Sequence, residues 1–178
     1  KNLEWLLESI ANIFYELPDT QLVLVGGGPE KELLTQKTID LGISNNVTFT
    51  GVLTKEQVID CYHGSDLFVF ASLTETQGLV IGEAKSAGLP VVAVKAYGVT
   101  EMVENEKDGF LTSLSKDEFS NRIKLLLKNE NLRIQMSNAA KENAQKISAR
   151  NCALKLLLSY EELIEYNKED SSNKILGL

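Results

Sequence analysis

"DLFVFASLTETQGLVIGEAKSAGLPVVAV", residues 66–94, changes its hydrophobic period twice. "DLFVFAS" is a short apolar run, the pattern of a strand covered on both faces in a parallel sheet. "GLVIGEAKSAG" then reads as a helix, and "LPVVAV" returns to an apolar run. Two strands joined by one helix run in the same direction, so this stretch predicts a strand–helix–strand unit of a parallel sheet.

The same alternation extends in both directions. "NLEWLLESIANIFYEL" carries a helical stripe at Leu3, Leu6, Leu7, Ile10, Ile13, Phe14 and Leu17, closed by Pro18-Asp19. "QLVLVGGG" reads as a buried parallel strand ended by glycines. "PEKELLTQKTIDLG" is helical, with Pro29 suited to the first turn and Gly42 to the end. "NVTFTG" is a strand, and "TKEQVIDCYHGS" a helix with Thr54 at its N-cap. Downstream come a short helix near "TEMVEN", a small strand "GFLT", and three helical segments from Lys116 to Tyr166. The predicted fold class is α/β: a doubly wound, Rossmann-like parallel sheet with C-terminal helices. One domain is expected over residues 1–166, with a polar, frayed tail over 167–178. The chain begins at Lys1, already inside a helical pattern, which reads as a piece of a longer protein.

Composition bounds the function. The 178 residues are 43% hydrophobic and 24% charged, as in an ordinary globular domain. A net charge of -7 argues against nucleic acid as a partner, because phosphate binding needs clustered Lys and Arg. With a single histidine, His63, no His-built metal site can be assembled, and no metal is expected. Cys61 and Cys152 lack metal or redox spacing and read as free thiols of a reducing compartment, which suggests a cytoplasmic protein. No apolar run approaches the length of a membrane span.

Ligands of open parallel sheets bind beyond the carboxyl ends of the strands. Three glycine-bearing loops follow strands there: Gly26-Gly27-Gly28, Gly51 and Gly78. "VGGGPE" lacks the third glycine of a dinucleotide fingerprint, since Lys31 stands there, and the next strand ends without a ribose-reading acid; NAD is not expected. Between Glu75 and Glu83 lies a helix start. At about 100° per residue, Leu79, Val80, Ala84 and Ala87 share one side, with Glu83 inside their arc and Lys85 and Ser86 pointing elsewhere. A carboxylate at the edge of a buried face needs a hydrogen-bonding partner, either a neighbouring polar group or a ligand hydroxyl pair. The amides of Gly78, Leu79 and Val80 start the helix without intrahelical partners. A ligand with hydroxyls at each end and phosphate in the middle matches this set, as does a purely structural arrangement.

These residues resemble the donor-binding half of a retaining glycosyltransferase of GT-B architecture, in glycosyltransferase family four. The resemblance rests on Glu75 and Glu83 separated by seven residues and on "EAKSAGLPVVA". Further matches are "LVLVGGGPEKELL", "VTFTGVLTKEQVIDCYHGSDLFVFAS" and "GVTEMVENEKDGFL". "TETQGL" is similar to the subgroup that glycosylates diacylglycerol, and Gln77 stands where many relatives carry an aromatic residue.

The resemblance implies a nucleotide-sugar donor, UDP-linked, and sugar transfer with retention to a lipid or glycan acceptor. It implies that Glu83 binds the ribose hydroxyls. Glu75, taken as the catalytic residue, contacts the donor sugar. The amides of Gly78, Leu79 and Val80 lie near the sugar and diphosphate. Lys1 belongs to a diphosphate clamp, Gly51, Val52 and Leu53 line the base, and Gly26, Gly27 and Gly28 edge the cleft. It implies no cofactor. The acceptor is expected on a separate N-terminal domain, and the resemblance leaves room for the intact protein to associate peripherally with the inner face of a membrane. The family's first strand, expected to be central, and the Arg of the clamp do not occur in these residues. The alternative is a non-catalytic module that senses a nucleotide sugar or binds a protein partner.

Overall fold

A computed structural model describes the backbone of residues 1–176 and the side chains of all but 165 and 167–178. Helix α1 (Leu3–Glu16) leads to strand β1 (Leu22–Val25), helix α2 (Lys31–Asp40), a 3-10 turn (Ser44–Asn46) and strand β2 (Val47–Gly51). Helix α3 (Lys55–His63), strand β3 (Phe68–Phe70), helix α4 (Leu79–Ser86) and strand β4 (Val91–Val94) follow. Helix α5 (Tyr97–Thr100), strand β5 (Gly109–Thr112) and helices α6 (Lys116–Lys128), α7 (Glu130–Lys146) and α8 (Ala149–Leu176) complete the order. All ladder pairs between these strands are parallel, so the α/β class read from residues 66–94 is the observed one. The short helix expected near "TEMVEN" lies earlier, over Tyr97–Thr100. Across the tail expected to fray over 167–178, the backbone is helical to Leu176, and the side chains and the last two residues lie outside the described ones.

Strand β4 is the centre of the three-stranded sheet β3-β4-β5, with Val91–Val94 fully buried. Its side chains alternate between two cores, as the period of two requires. Val92 and Val94 join the cluster built by α1, Phe110, Phe119 and Ile123, whereas Val91 and Ala93 face Ile81, Val99 and Leu111. Helices therefore cover both faces, which explains why the strand reads as an unbroken apolar run. On the first face, α1 buries Leu6, Leu7, Ile10, Ile13 and Phe14, and Trp5 meets Phe119 of α6 edge-on at 5.3 Å. Thr54 is the N-cap of helix α3, as the sequence predicts, and the structure adds Gln57 to complete a capping box.

The sheet is divided. Among the described residues, β1 pairs only with β2, in register Leu22↔Val47 to Leu24↔Phe49, and the edges of β1 and β3 are not paired with each other. A cavity of about 1110 Å³ lies between them, lined by both strands and by Leu6, Ile10 and Phe14 of α1. β1 is consequently half-buried rather than buried as expected: Val23 and Val25 are each 43% exposed. Leu22 and Leu24 still pack on the first core. Among the described residues, no helix is long and apolar enough to cross a membrane.

Candidate functional site

The carboxyl ends of β3 and β4 carry the loop Ala71–Gly78 and the short helix α5. Glu75 is fixed in that loop from three directions. The Lys1 ammonium donates to its Oε2 at 2.8 Å, the Gly78 amide donates to its Oε1 at 3.3 Å, and its backbone oxygen accepts from the Gly98 amide at 3.1 Å. The lysine first, and the amide second, hold the Glu75 carboxyl below the usual carboxylate range. Lys1 also lies over the Phe70 ring, 5.5 Å from its centroid. Gly98 is needed for this approach: a Cβ there would sit 2.3 Å from the Thr76 carbonyl carbon.

Gly78 caps α4 in the left-handed region, with φ 62°, a conformation that suits glycine. A side chain there would also press on the Gly98 carbonyl oxygen at 3.1 Å. The first turn of α4 opens outward, with Leu79 67% exposed and Val80 half-buried.

The side of α4 facing the core overlaps the predicted one at Val80 and Ala84 but departs from it at Leu79 and Glu83. Ile81, Ala84 and Lys85 are buried, while Leu79 and Glu83 are exposed. Ile81 packs with Val91, Ala93 and Val99, with Val80 against the same cluster, while Leu79 lies at the open end of the helix. The buried charge is thus Lys85. Its ammonium lies 2.6 Å from Asp108 Oδ2 and donates to the Met102 carbonyl at 2.7 Å. Asp108 Oδ2 also accepts from Asn143 Nδ2 at 2.8 Å, and Oδ1 accepts from the Glu104 amide at 2.9 Å. Every polar group of the cluster is partnered, as burial demands. Glu83 Oε2 accepts from the Tyr62 hydroxyl at 3.2 Å. Tyr62 and Gly98 were not among the sequence candidates; neither stands within reach of the paired glutamates along the chain, so no local spacing could flag them.

The remaining candidates form a second wall. Gly26, at φ 119°, donates its amide to the Gly51 carbonyl at 2.9 Å, and Gly51 is itself at φ 71°. The two loops therefore run side by side at the carboxyl ends of β1 and β2. Gly28 is exposed and its carbonyl accepts from the Lys31 amide at 3.3 Å, Val52 is 87% exposed, and Leu53 is half-buried. Lys1, Gly26, Gly27, Gly28, Val80 and Glu83 line one cavity, whereas Gly51, Val52, Leu53, Glu75, Gly78 and Leu79 are not among its lining residues. His63 is exposed at the end of α3. Among the described residues, no group of His, Cys, Asp and Glu could hold a metal ion.

The start of α4, the Lys1 ammonium and the Glu75 and Glu83 carboxylates thus stand at the carboxyl ends of the strands of an open α/β edge, where a helix start favours anions. Known proteins carry the same arrangement of chain. The chain is 32% identical over 154 residues to sulfoquinovosyl transferase SQD2 of Arabidopsis thaliana, covering 84% of this chain and 29% of that protein. It is 32% identical over 171 residues to the D-inositol 3-phosphate glycosyltransferase of Corynebacterium jeikeium (strain K411), covering 92% and 41%. The crystal structure of Anabaena HepE in complex with UDP and glucose superposes with a TM-score of 0.74 at 28% identity, over 86% of this chain and 44% of that one. The chain thus spans less than half the length of each of these proteins. The sequence pattern described as "Glycosyl transferases group 1" matches residues 1–143, and the chain belongs to that family, with the α/β architecture of GT-B glycosyltransferases.

Proposed function

We propose that the chain is the donor-binding half of a retaining glycosyltransferase of family four. It takes a sugar from a nucleotide diphosphate sugar, UDP-linked, for transfer to a lipid or glycan acceptor held by another part of the protein. The observation that carries this reading is the placement of Glu75 and Glu83 on either side of the open first turn of α4. Glu83 takes the ribose hydroxyls, and Glu75, already ionised against Lys1, takes hydroxyls of the sugar. The amides of Leu79 and Val80 take the diphosphate, the Gly78 amide, already held by Glu75 Oε1, lies beside the sugar, and Lys1 supplies the cation of the diphosphate clamp. Oriented amides and a cation stabilise the charge that develops on the departing diphosphate. Gly26, Gly27 and Gly28 edge the cleft, and Gly51, Val52 and Leu53 line the base. HepE, solved with UDP and glucose, supports the choice of UDP. The similarity of "TETQGL" to diacylglycerol glycosyltransferases supports a lipid acceptor at the cytoplasmic face of a membrane.

The reading also takes the cavity between β1 and β3 as the seat of one more parallel strand, supplied by residues ahead of Lys1 in a longer protein. Two unpaired parallel edges and an apolar lining support it, as does the position of Lys1 on the cavity wall just before α1. A strand there would lead through α1 to β1 by the usual crossover.

Glu83→Ala in the full-length protein tests the donor site. Charge-assisted hydrogen bonds contribute about 1.5–3 kcal/mol, so UDP affinity should fall at least roughly tenfold. Glu83 is exposed, so the melting temperature should hardly change. Unchanged UDP affinity would overturn the assignment.

A further inference from the structure

Glu83 belongs to the proposed donor site, but nothing in α4 itself fixes its carboxylate. An exposed glutamate has three freely rotating side-chain bonds, and ordering them on binding opposes affinity. Among the described residues, the side chain that donates to this carboxylate comes from a different element. Tyr62, in the last turn of α3, donates its hydroxyl to Glu83 Oε2 at 3.2 Å. The Tyr62 ring is half-buried and set edge-on against Phe68, with centroids 6.0 Å apart and an interplanar angle of 65°. Phe68 is in turn stacked on Phe70 at 6.0 Å, along β3. The phenol therefore stands on a three-ring row that begins under the Lys1 ammonium and ends at Glu83.

We propose that Tyr62 is a positioning residue: it holds the Glu83 carboxylate in the orientation that receives a pair of neighbouring ribose hydroxyls. The inference rests on the reading of Glu83 as the ribose-binding group. A carboxylate has about four acceptor sites, and Tyr62 occupies one of them on Oε2. Oε1 and the rest of Oε2 remain for two hydroxyls of a vicinal diol. Burial first, and the charge of Glu83 second, push the Tyr62 phenol up to about 12. The hydroxyl therefore keeps its proton and donates it to Glu83 Oε2. Preorganisation of this kind raises affinity without adding a contact to the ligand.

The test uses full-length protein, with UDP and 2′,3′-dideoxy-UDP as probes and four forms: wild type, Tyr62→Phe, Glu83→Ala and the double variant. Phenylalanine keeps the ring row and removes only the hydroxyl. Tyr62→Phe should weaken UDP roughly three- to tenfold, leave dideoxy-UDP within about twofold, and add nothing in the Glu83→Ala background. Equal losses for both nucleotides would make Tyr62 a structural residue and overturn the proposal. So would the same loss in the presence and absence of Glu83, or no loss of UDP affinity at all. If Glu83→Ala leaves UDP binding intact, or the wild type binds neither nucleotide, the donor-site reading fails and the proposal falls with it. If Glu83→Ala weakens UDP while Tyr62→Phe does not, only the role of Tyr62 is lost.

Discussion

Glu75 is ionised and held on two sides, by Lys1 and by the Gly78 amide, before any ligand arrives. If it receives sugar hydroxyls, its charge should matter for the sugar and little for the nucleotide. Glu75→Gln is expected to leave UDP affinity within about twofold and to weaken UDP-glucose roughly tenfold, as read by calorimetric titration of each. Equal losses for the two ligands would remove Glu75 from the sugar site. The other charged residue of weight is Lys85, closed in with Asp108, the Met102 carbonyl and Asn143. Asp108→Ala would leave a buried ammonium without its counter-charge. Urea unfolding should show a loss of about 3–5 kcal/mol, the usual penalty for breaking one side of a buried pair. A loss below about 1 kcal/mol would show the pair to be dispensable to the fold.

At the scale of elements, α1 is tied to two neighbours through one side chain. Glu8 pairs with Lys37 of α2 and with Lys116 of α6, the latter at 2.6 Å. Lys116 first, then Lys37, pull the Glu8 carboxyl from 4.5 down to about 2. A carboxyl depressed in the folded state stabilises the fold above its unfolded value and loses that contribution as pH falls through the folded value. The contribution of Glu8 is therefore present in full above about 4.5, and is lost between there and about 2. Glu8→Gln should lower stability at neutral pH and flatten the acid limb of the unfolding curve across that window. A variant whose acid limb kept the slope of the wild type would show that the clasp carries no linkage. Helix α3, held by its capping box, matters to the site for another reason: its last turn delivers Tyr62.

For the whole molecule, the proposed reading places donor and acceptor on different bodies. Positioning both reactants is worth up to ~7–11 kcal/mol of barrier, and a donor half alone forfeits it. Residues 1–178 by themselves should bind UDP weakly and transfer no measurable sugar, in an assay with labelled UDP-glucose run beside the full-length protein. Robust turnover by these residues would put the acceptor site within them and end the two-body reading. The divided sheet adds a structural readout to the same comparison. Edge amides of β1 and β3 should exchange faster in residues 1–178 than in the longer protein, if a strand enters between them.

The sequence alone determined the alternation of strands and helices, because period, glycine punctuation and capping residues are local properties. "VVAV" could be read as a doubly covered strand, and Thr54 as a cap, without any knowledge of neighbours. The pair Glu75 and Glu83 was legible as a candidate site because both flank a helix start in one loop–helix segment. Which face of α4 turns inward was legible only in part. Ala84 lies inward as the period predicts, but only contact with Val91, Ala93 and Val99 selects Ile81 over Leu79, and only the packing brings Lys85 to Asp108. The half-exposure of β1 also depends on what pairs with its second edge, which no property of "LVLV" contains. Tyr62 and Gly98 became visible only in three dimensions, since a hydrogen bond across 21 residues and a backbone approach between loops arise from how the elements pack.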